Sequence, residues 1–212
     1  MLNYRQQDKW DNGNEGFQSP ISLISDDVIN NQTDWQFDIK SPILGQLIED
    51  SNNTFRITGT GNVTINQINF QFQELHFHAP SEHLIDKQQY PMEWHFVFKT
   101  NAMQTMVIGK MATEGKSSPV FDSILDEYVS GEQTKLSKHI DLTPFLQGLD
   151  HVYHYQGSLT TPPLTQGVEW YVDKDPFSLS ELQIERYQDI FALPNNRKIQ
   201  PMKHRPVSFG KM

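Results

Sequence analysis

Residues 74–100 read ELHFHAPSEHLIDKQQYPMEWHFVFKT and hold four of the chain's eight histidines, His76, His78, His83 and His95. The two ends of this stretch alternate in the two-residue period of a strand, so successive side chains fall on opposite faces. His76 and His78 then share one face, with Leu75 and Phe77 on the other. In the second run Glu93, His95 and Val97 share a face, and Trp94, Phe96 and Phe98 form a strongly apolar opposite face. His95 can therefore complete a site of three imidazoles. Three neutral imidazoles leave the fourth tetrahedral position of zinc to water, the arrangement of a catalytic rather than a closed structural site. A His-x-His pair by itself fits two satisfied, partly buried imidazoles equally well.

Outward from this stretch, TFRITG (54–59), NVTINQINFQFQELHFH (62–78) and VEWYVD (168–173) also read as strands between turn-forming residues. Two short helices are expected. Ser118 and Pro119 supply an N-cap and a first-turn proline to VFDSILDEYV, with apolar positions at 121, 124, 125, 128 and 129. A second helix begins at Ser180, where Ser180 and Gln183 have capping-box spacing, Ile184, Tyr187 and Phe191 share a face, and Pro194 lies just beyond. The expected fold class is mainly β (α+β): a large central, mostly antiparallel twisted sheet with short peripheral helices. No repeat, low-complexity tract or Pro/Gly-rich linker divides the chain, so residues 1–212 are expected to form a single domain.

The composition excludes several functions. Seventeen Lys and Arg against 26 Asp and Glu give a net charge of -9, which opposes binding to nucleic acid or anionic lipid. No apolar run reaches the roughly 20 residues of a membrane helix, and the opening lacks the apolar core of a signal peptide. The chain has no cysteine, so a metal must be held by histidine and carboxylate.

Six blocks, in order, resemble the alpha class of carbonic anhydrases: FQSPI (17–21), HFHAPSEH (76–83), MEWHFV (92–97), IDLTPFL (140–146), YQGSLTTPPL (155–164) and NNRKIQPMKHRPV (195–207). They run over nearly the whole chain. The resemblance implies the carbonic anhydrase fold and zinc held by His76, His78 and His95. It implies reversible hydration of carbon dioxide to bicarbonate by zinc hydroxide, with a weak esterase side activity. Thr160 corresponds to the residue that accepts a hydrogen bond from that hydroxide, and Glu82 to the carboxylate that takes the threonine proton. Glu93 would hold His95 in one tautomer, and a backbone carbonyl near Asn195 would serve His78. Val97, Val107, Leu159, Val168 and Trp170 correspond to an apolar pocket for CO₂, with Thr161 beside Thr160 contacting substrate. As isolated residues, each of these apolar positions fits an ordinary strand core as well.

Two positions depart from the family's better-known pattern. Glu74 stands where many members carry glutamine, which makes the site more negative and is expected to raise the pKa of the zinc water. Asn53 or Thr54 stands where fast members carry a proton-shuttling histidine. Neither titrates near neutrality, so slow, buffer-dependent regeneration of the hydroxide is expected, with no proton-shuttle residue assigned. His83 reads as a structural hydrogen-bonding residue near the site; His139, His151, His154 and His204 have no ligand spacing. The lack of cysteine, unlike many secreted relatives, and the initial methionine point to a cytoplasmic enzyme, as a monomer or homodimer. Two other readings are a non-catalytic carbonic anhydrase-like binding module and a β-barrel oxygenase with iron on two histidines and a carboxylate.

Overall fold

The computed structural model describes residues 2–10, 16–26, 28–191 and 193–212. Its strands are β1 (Ser22–Leu23), β2 (Ile29–Asp34), β3 (Phe37–Asp50), β4 (Phe55–Ile65), β5 (Ile68–His78) and β6 (Leu84–Ile85). They continue as β7 (Met92–Lys99), β8 (Thr105–Glu114), β9 (Gln133–Asp141), β10 (Val152–Ser158), β11 (Gln166–Leu179) and β12 (Ser208–Lys211). Ten of these form one sheet in the order β2-β12-β10-β11-β8-β7-β5-β4-β3-β9, and β1 pairs separately with β6. All neighbours in the large sheet run antiparallel except β12 with β2 and β11 with β8. The mainly β, mostly antiparallel sheet expected from the sequence is what forms.

The alternation read from residues 74–100 sorts two cores onto the two faces of this sheet. Leu75, Phe77, Trp94, Phe96 and Phe98 join one buried cluster, and Val97, Val107, Met111, Val168 and Trp170 join the other. Strands β5 and β7 are central, so apart from Ile68 at the start of β5 their apolar side chains are almost completely withdrawn from water.

Two boundaries differ from the sequence reading. The run 62–78 is not one strand: it breaks at Asn66 and Gln67, both left-handed (φ 47° and 68°), which turn β4 back onto β5. That pair of positive angles is the signature of a tight hairpin, but Asn-Gln lacks the glycine that usually advertises it. Strand β4 also runs through Gly59, where a Cβ would come within 1.9 Å of the Leu44 carbonyl oxygen. The glycine there permits a close approach of β3 to β4 rather than ending the strand.

The helices are α1 (Pro119–Glu127) and α2 (Glu181–Ile190), with 3-10 turns at Tyr4–Lys9 and Thr143–Leu146. Ser118 caps α1 by accepting from the Phe121 amide, and Ser180 and Gln183 complete the capping box of α2. Gln183 also bonds both backbone groups of Ser118, tying the two helix starts together. Helix α1 stops at Glu127, short of the run to 129. Tyr128 leaves the helix to give its hydroxyl to Asp50, and Val129 is 43% exposed. No helix among the described residues is long and apolar enough to cross a membrane.

Candidate metal centre

His76 on β5 and His95 on β7 are directly opposed across the ladder, and His78 lies opposite Glu93. Cross-strand partners share a face, so the three imidazoles converge, with one ligand nitrogen from each lying within 4.8 Å of the others. Each ring's remaining nitrogen is already committed. His76 Nδ1 bonds Glu74 Oε1 at 3.0 Å, His78 Nδ1 bonds the Asn195 carbonyl at 2.8 Å, and His95 Nε2 bonds Glu93 Oε1 at 2.8 Å.

These partners fix the protons. A carbonyl or an ionised carboxylate only accepts, so each committed nitrogen must be the donor. Burial opposes ionisation of Glu93, but His83 and His95 hold its carboxyl well below the usual value. Burial likewise opposes ionisation of Glu74, and the His76 hydrogen bond, with the charges of His76, Arg56 and Lys99, holds it low. The lone pairs left over are on His76 Nε2, His78 Nε2 and His95 Nδ1. Of these, His78 Nε2 is buried with no partner, and His95 Nδ1 faces His76 Nε2 at 3.3 Å with no proton between them. Two facing lone pairs call for a cation. Nitrogens bound tetrahedrally to zinc at about 2.0–2.1 Å stand about 3.3–3.4 Å apart, so the spacing fits that ion.

Burial pulls the His78 imidazole down to about 3 and that of His95 down to about 4 from their ordinary 6.5, so both rings are neutral near pH 7. Neutral rings are the state a metal needs. The same shifts set an acid limit. Below 6.5 the unfolded chain takes up protons that the folded one refuses, so stability falls as pH is lowered through that region. The melting temperature of metal-free protein should therefore drop between about pH 6.5 and 5; a flat profile there would contradict the assignment of neutral buried rings.

Glu93 anchors the floor of the site. Its Oε1 receives His95 and, at 2.7 Å, His83 Nδ1, while Oε2 receives the backbone amides of Glu82 and His83, each at 2.8 Å. Gly109, opposite His95, keeps this space open: a Cβ there would stand 3.0 Å from Glu93 Oε1. His83, Glu93 and His95 could themselves be grouped around a metal, but Glu93 is saturated by these donors. Beyond it, His83 Nε2 contacts the Tyr155 hydroxyl at 2.6 Å, extending the network to Ser19. Glu82 lies on the other side, with Oε1 accepting the Arg197 amide at 2.7 Å. Burial raises the Glu82 carboxyl, while the charge of His95, the nearby Thr160 hydroxyl and the Arg197 amide pull it back, and its Oε2 is buried without a hydrogen-bond partner.

The profile of the eukaryotic-type carbonic anhydrase family matches residues 5–210. The chain belongs to this family. A carbonic anhydrase of Neisseria gonorrhoeae is 31% identical over 164 residues, which cover 76% of this chain but only 65% of that relative's length. The solved structure of the complex of alpha-carbonic anhydrase from Thermovibrio ammonificans with the inhibitor sulfanilamide superposes with a TM-score of 0.83 at 31% identity, covering 91% of this chain and 86% of that one. A relative of another name, Dioscorin DB3L of Dioscorea polystachya, is 30% identical over 220 residues, covering 93% of this chain and 76% of that relative.

The cluster of three imidazoles lies at a cavity of about 380 Å³. Its walls include His76, His95, Val97, Val107, Leu159, Thr160, Thr161 and Trp170, so most of the residues expected around the substrate do meet there. Val168 does not reach this lining; it is buried behind it with Val97 and Trp170. Asn53 and Thr54 are also outside. Asn53 donates to the Leu2 carbonyl and lines a separate cavity of about 780 Å³ against the N-terminal turn, and Thr54 bonds Phe77 and Tyr187.

Sequence reasoning missed the polar frame that carries these residues. Arg197 donates to Gln18 Oε1 and the Ser19 carbonyl, each at 2.7 Å, and the Trp170 indole donates to the Ser158 carbonyl at 2.9 Å. Asn195 supplies more than its carbonyl, since its amide bonds Ala79, Phe77 and Asn53. The QSP and NNR motifs carried the signal, but not the partners.

Proposed function

We propose that the chain catalyses the reversible hydration of CO₂ to bicarbonate and a proton, with zinc held by His76, His78 and His95. The observation that carries the reading is the pair of unprotonated nitrogens facing each other at 3.3 Å beside the orphaned His78 Nε2. Zinc bound there supplies Lewis acidity that lets water ionise near neutrality, for which carbonic anhydrase is the standard worked case. Glu74, Glu93 and the Asn195 carbonyl hold the three rings in the tautomers that present lone pairs.

The other residues aim and shield the chemistry. An ionised Glu82 only accepts, so the Thr160 proton is turned toward it and the Thr160 oxygen is left to accept from the nucleophile. A dication at the imidazoles would add to the groups that keep Glu82 ionised. Val97, Val107, Leu159 and Trp170 give the uncharged substrate an apolar wall, and Thr161 lies beside it. Replacing Thr160 by alanine should leave zinc content unchanged and lower kcat/KM about 100-fold, the scale of a misaimed reactant. Equal turnover, or loss of zinc, would remove Thr160 from this role.

No histidine other than the ligands lines the cavity among the described residues. Proton removal then falls to the buffer, and the maximal hydration rate should rise with imidazole-type buffer concentration. A rate that is high and insensitive to buffer would show that another group in the chain carries the proton.

A further inference from the structure

The metal ligands belong to a longer row of directly opposed residues. Glu49 of β3 lies opposite Arg56 of β4, Arg56 opposite His76 of β5, and His76 opposite His95 of β7. Partners in register share a face, so Glu49 and Arg56 stand on the same face as the three imidazoles, next to His76. Gln133 of the edge strand β9 continues the row and bonds Glu49.

We propose that Arg56 is a positioning residue of the metal centre: it grips Glu74 by the oxygen that His76 does not use and so holds that carboxylate on the imidazole. The proposal rests on the zinc reading above for the identity of the ion. Arg56 Nε bonds Glu49 Oε2 at 2.6 Å, and its Nη1 stands 3.5 Å from Glu74 Oε2. Glu74 uses its other oxygen, Oε1, for His76 Nδ1 at 3.0 Å. The carboxylate is thus held at both oxygens, one by the cation and one by the ligand ring.

The arrangement explains how a charged residue serves at position 74. An unpaired carboxylate with a side chain 24% exposed is free to turn toward water, which would release the His76 ring to either tautomer. The guanidinium offers several donors in a fixed fork and can satisfy two carboxylates at once. Glu49, 18% exposed and bonded by Gln133, fixes the fork in turn. Lys99 is the other cation acting on Glu74, but it forms no ion pair within 4.0 Å among the described residues. A neutral glutamine at 74 would need no such cation, and this gives the test its logic.

Two readouts are to be taken on Arg56→Gln, Glu74→Gln and the double variant: zinc transfer to a chelator, and the ¹⁵N tautomer of His76 in metal-free protein. Arg56 is about half exposed, so its replacement should not disturb folding. Arg56→Gln is expected to lose zinc roughly fivefold faster, the scale of a partly exposed ion pair, and to lower the Nδ1-protonated fraction of His76. In the Glu74→Gln background the same change should alter neither readout, and Arg56→Lys should restore part of the loss. An unchanged Arg56→Gln variant, or one with the same loss in both backgrounds, would overturn the proposal. Failure of the parent protein to bind zinc would sink the metal reading itself, and the His76 tautomer would still decide for or against Arg56.

Discussion

Replacing His95 by alanine should abolish both zinc retention and CO₂ hydration. In the proposed site His95 joins β7 to the His76/His78 pair on β5, and without it two imidazoles remain. Loss of a partner outside the ligand shell already costs about 10- to 100-fold in metal affinity, so loss of a ligand should exceed the upper figure. The variant also leaves Glu93 one donor short in a fully buried site. After dialysis against a weak chelator, zinc content should fall far below one per chain, with hydration at the buffer background. Full zinc occupancy in His95→Ala, or retained turnover, would show that the ligand set is wrong.

Glu93→Gln should have the largest effect on stability for the smallest change in shape. The carboxylate accepts four bonds: two imidazoles at Oε1 and two backbone amides at Oε2. An amide presents its NH₂ to one of those donor pairs whichever way it turns. Facing the backbone amides, it leaves them unpaired, because they cannot change their proton. Facing the imidazoles, it forces His83 and His95 to the other tautomer, and His95 Nδ1 then carries a proton where the metal needs a lone pair. Leaving a buried donor unsatisfied costs about 1–3 kcal/mol, and with a pair of donors unmatched that loss should appear as a lower midpoint in urea unfolding, with zinc retention reduced as well. A midpoint within experimental error of the parent would mean that Glu93 is not the acceptor-only anchor described above.

What was legible in the sequence was what depends on local period. Alternation over 74–78 and 93–98 placed His76, His78 and His95 on one face, and that geometry needs only strand pairing to converge. Caps at Ser118 and Ser180 likewise depend on neighbours three residues away. The illegible parts depend on contacts between distant segments. The Arg197 amide reaches Glu82 across 115 positions, and the His83–Tyr155 contact spans 72. Val168 alternates correctly for the pocket yet is buried behind it, and the wall is finished by Leu159, Thr160 and Thr161 from the loop that precedes β11. Asn53 shows the same limit. It is one of the two residues the resemblance sets at the shuttle position, but its side chain is drawn to Leu2 by a bond no period encodes. The Arg56 row needed the register of three ladders, each with its own shifts.

The most direct test is stopped-flow CO₂ hydration by the parent protein, measured on the metal-free form and again after titration with zinc. Activity that appears in proportion to zinc and saturates at one ion per chain is the expected result. One zinc bound per chain with hydration no faster than the buffer alone would contradict the account and leave the three imidazoles as a metal-binding site without this catalysis.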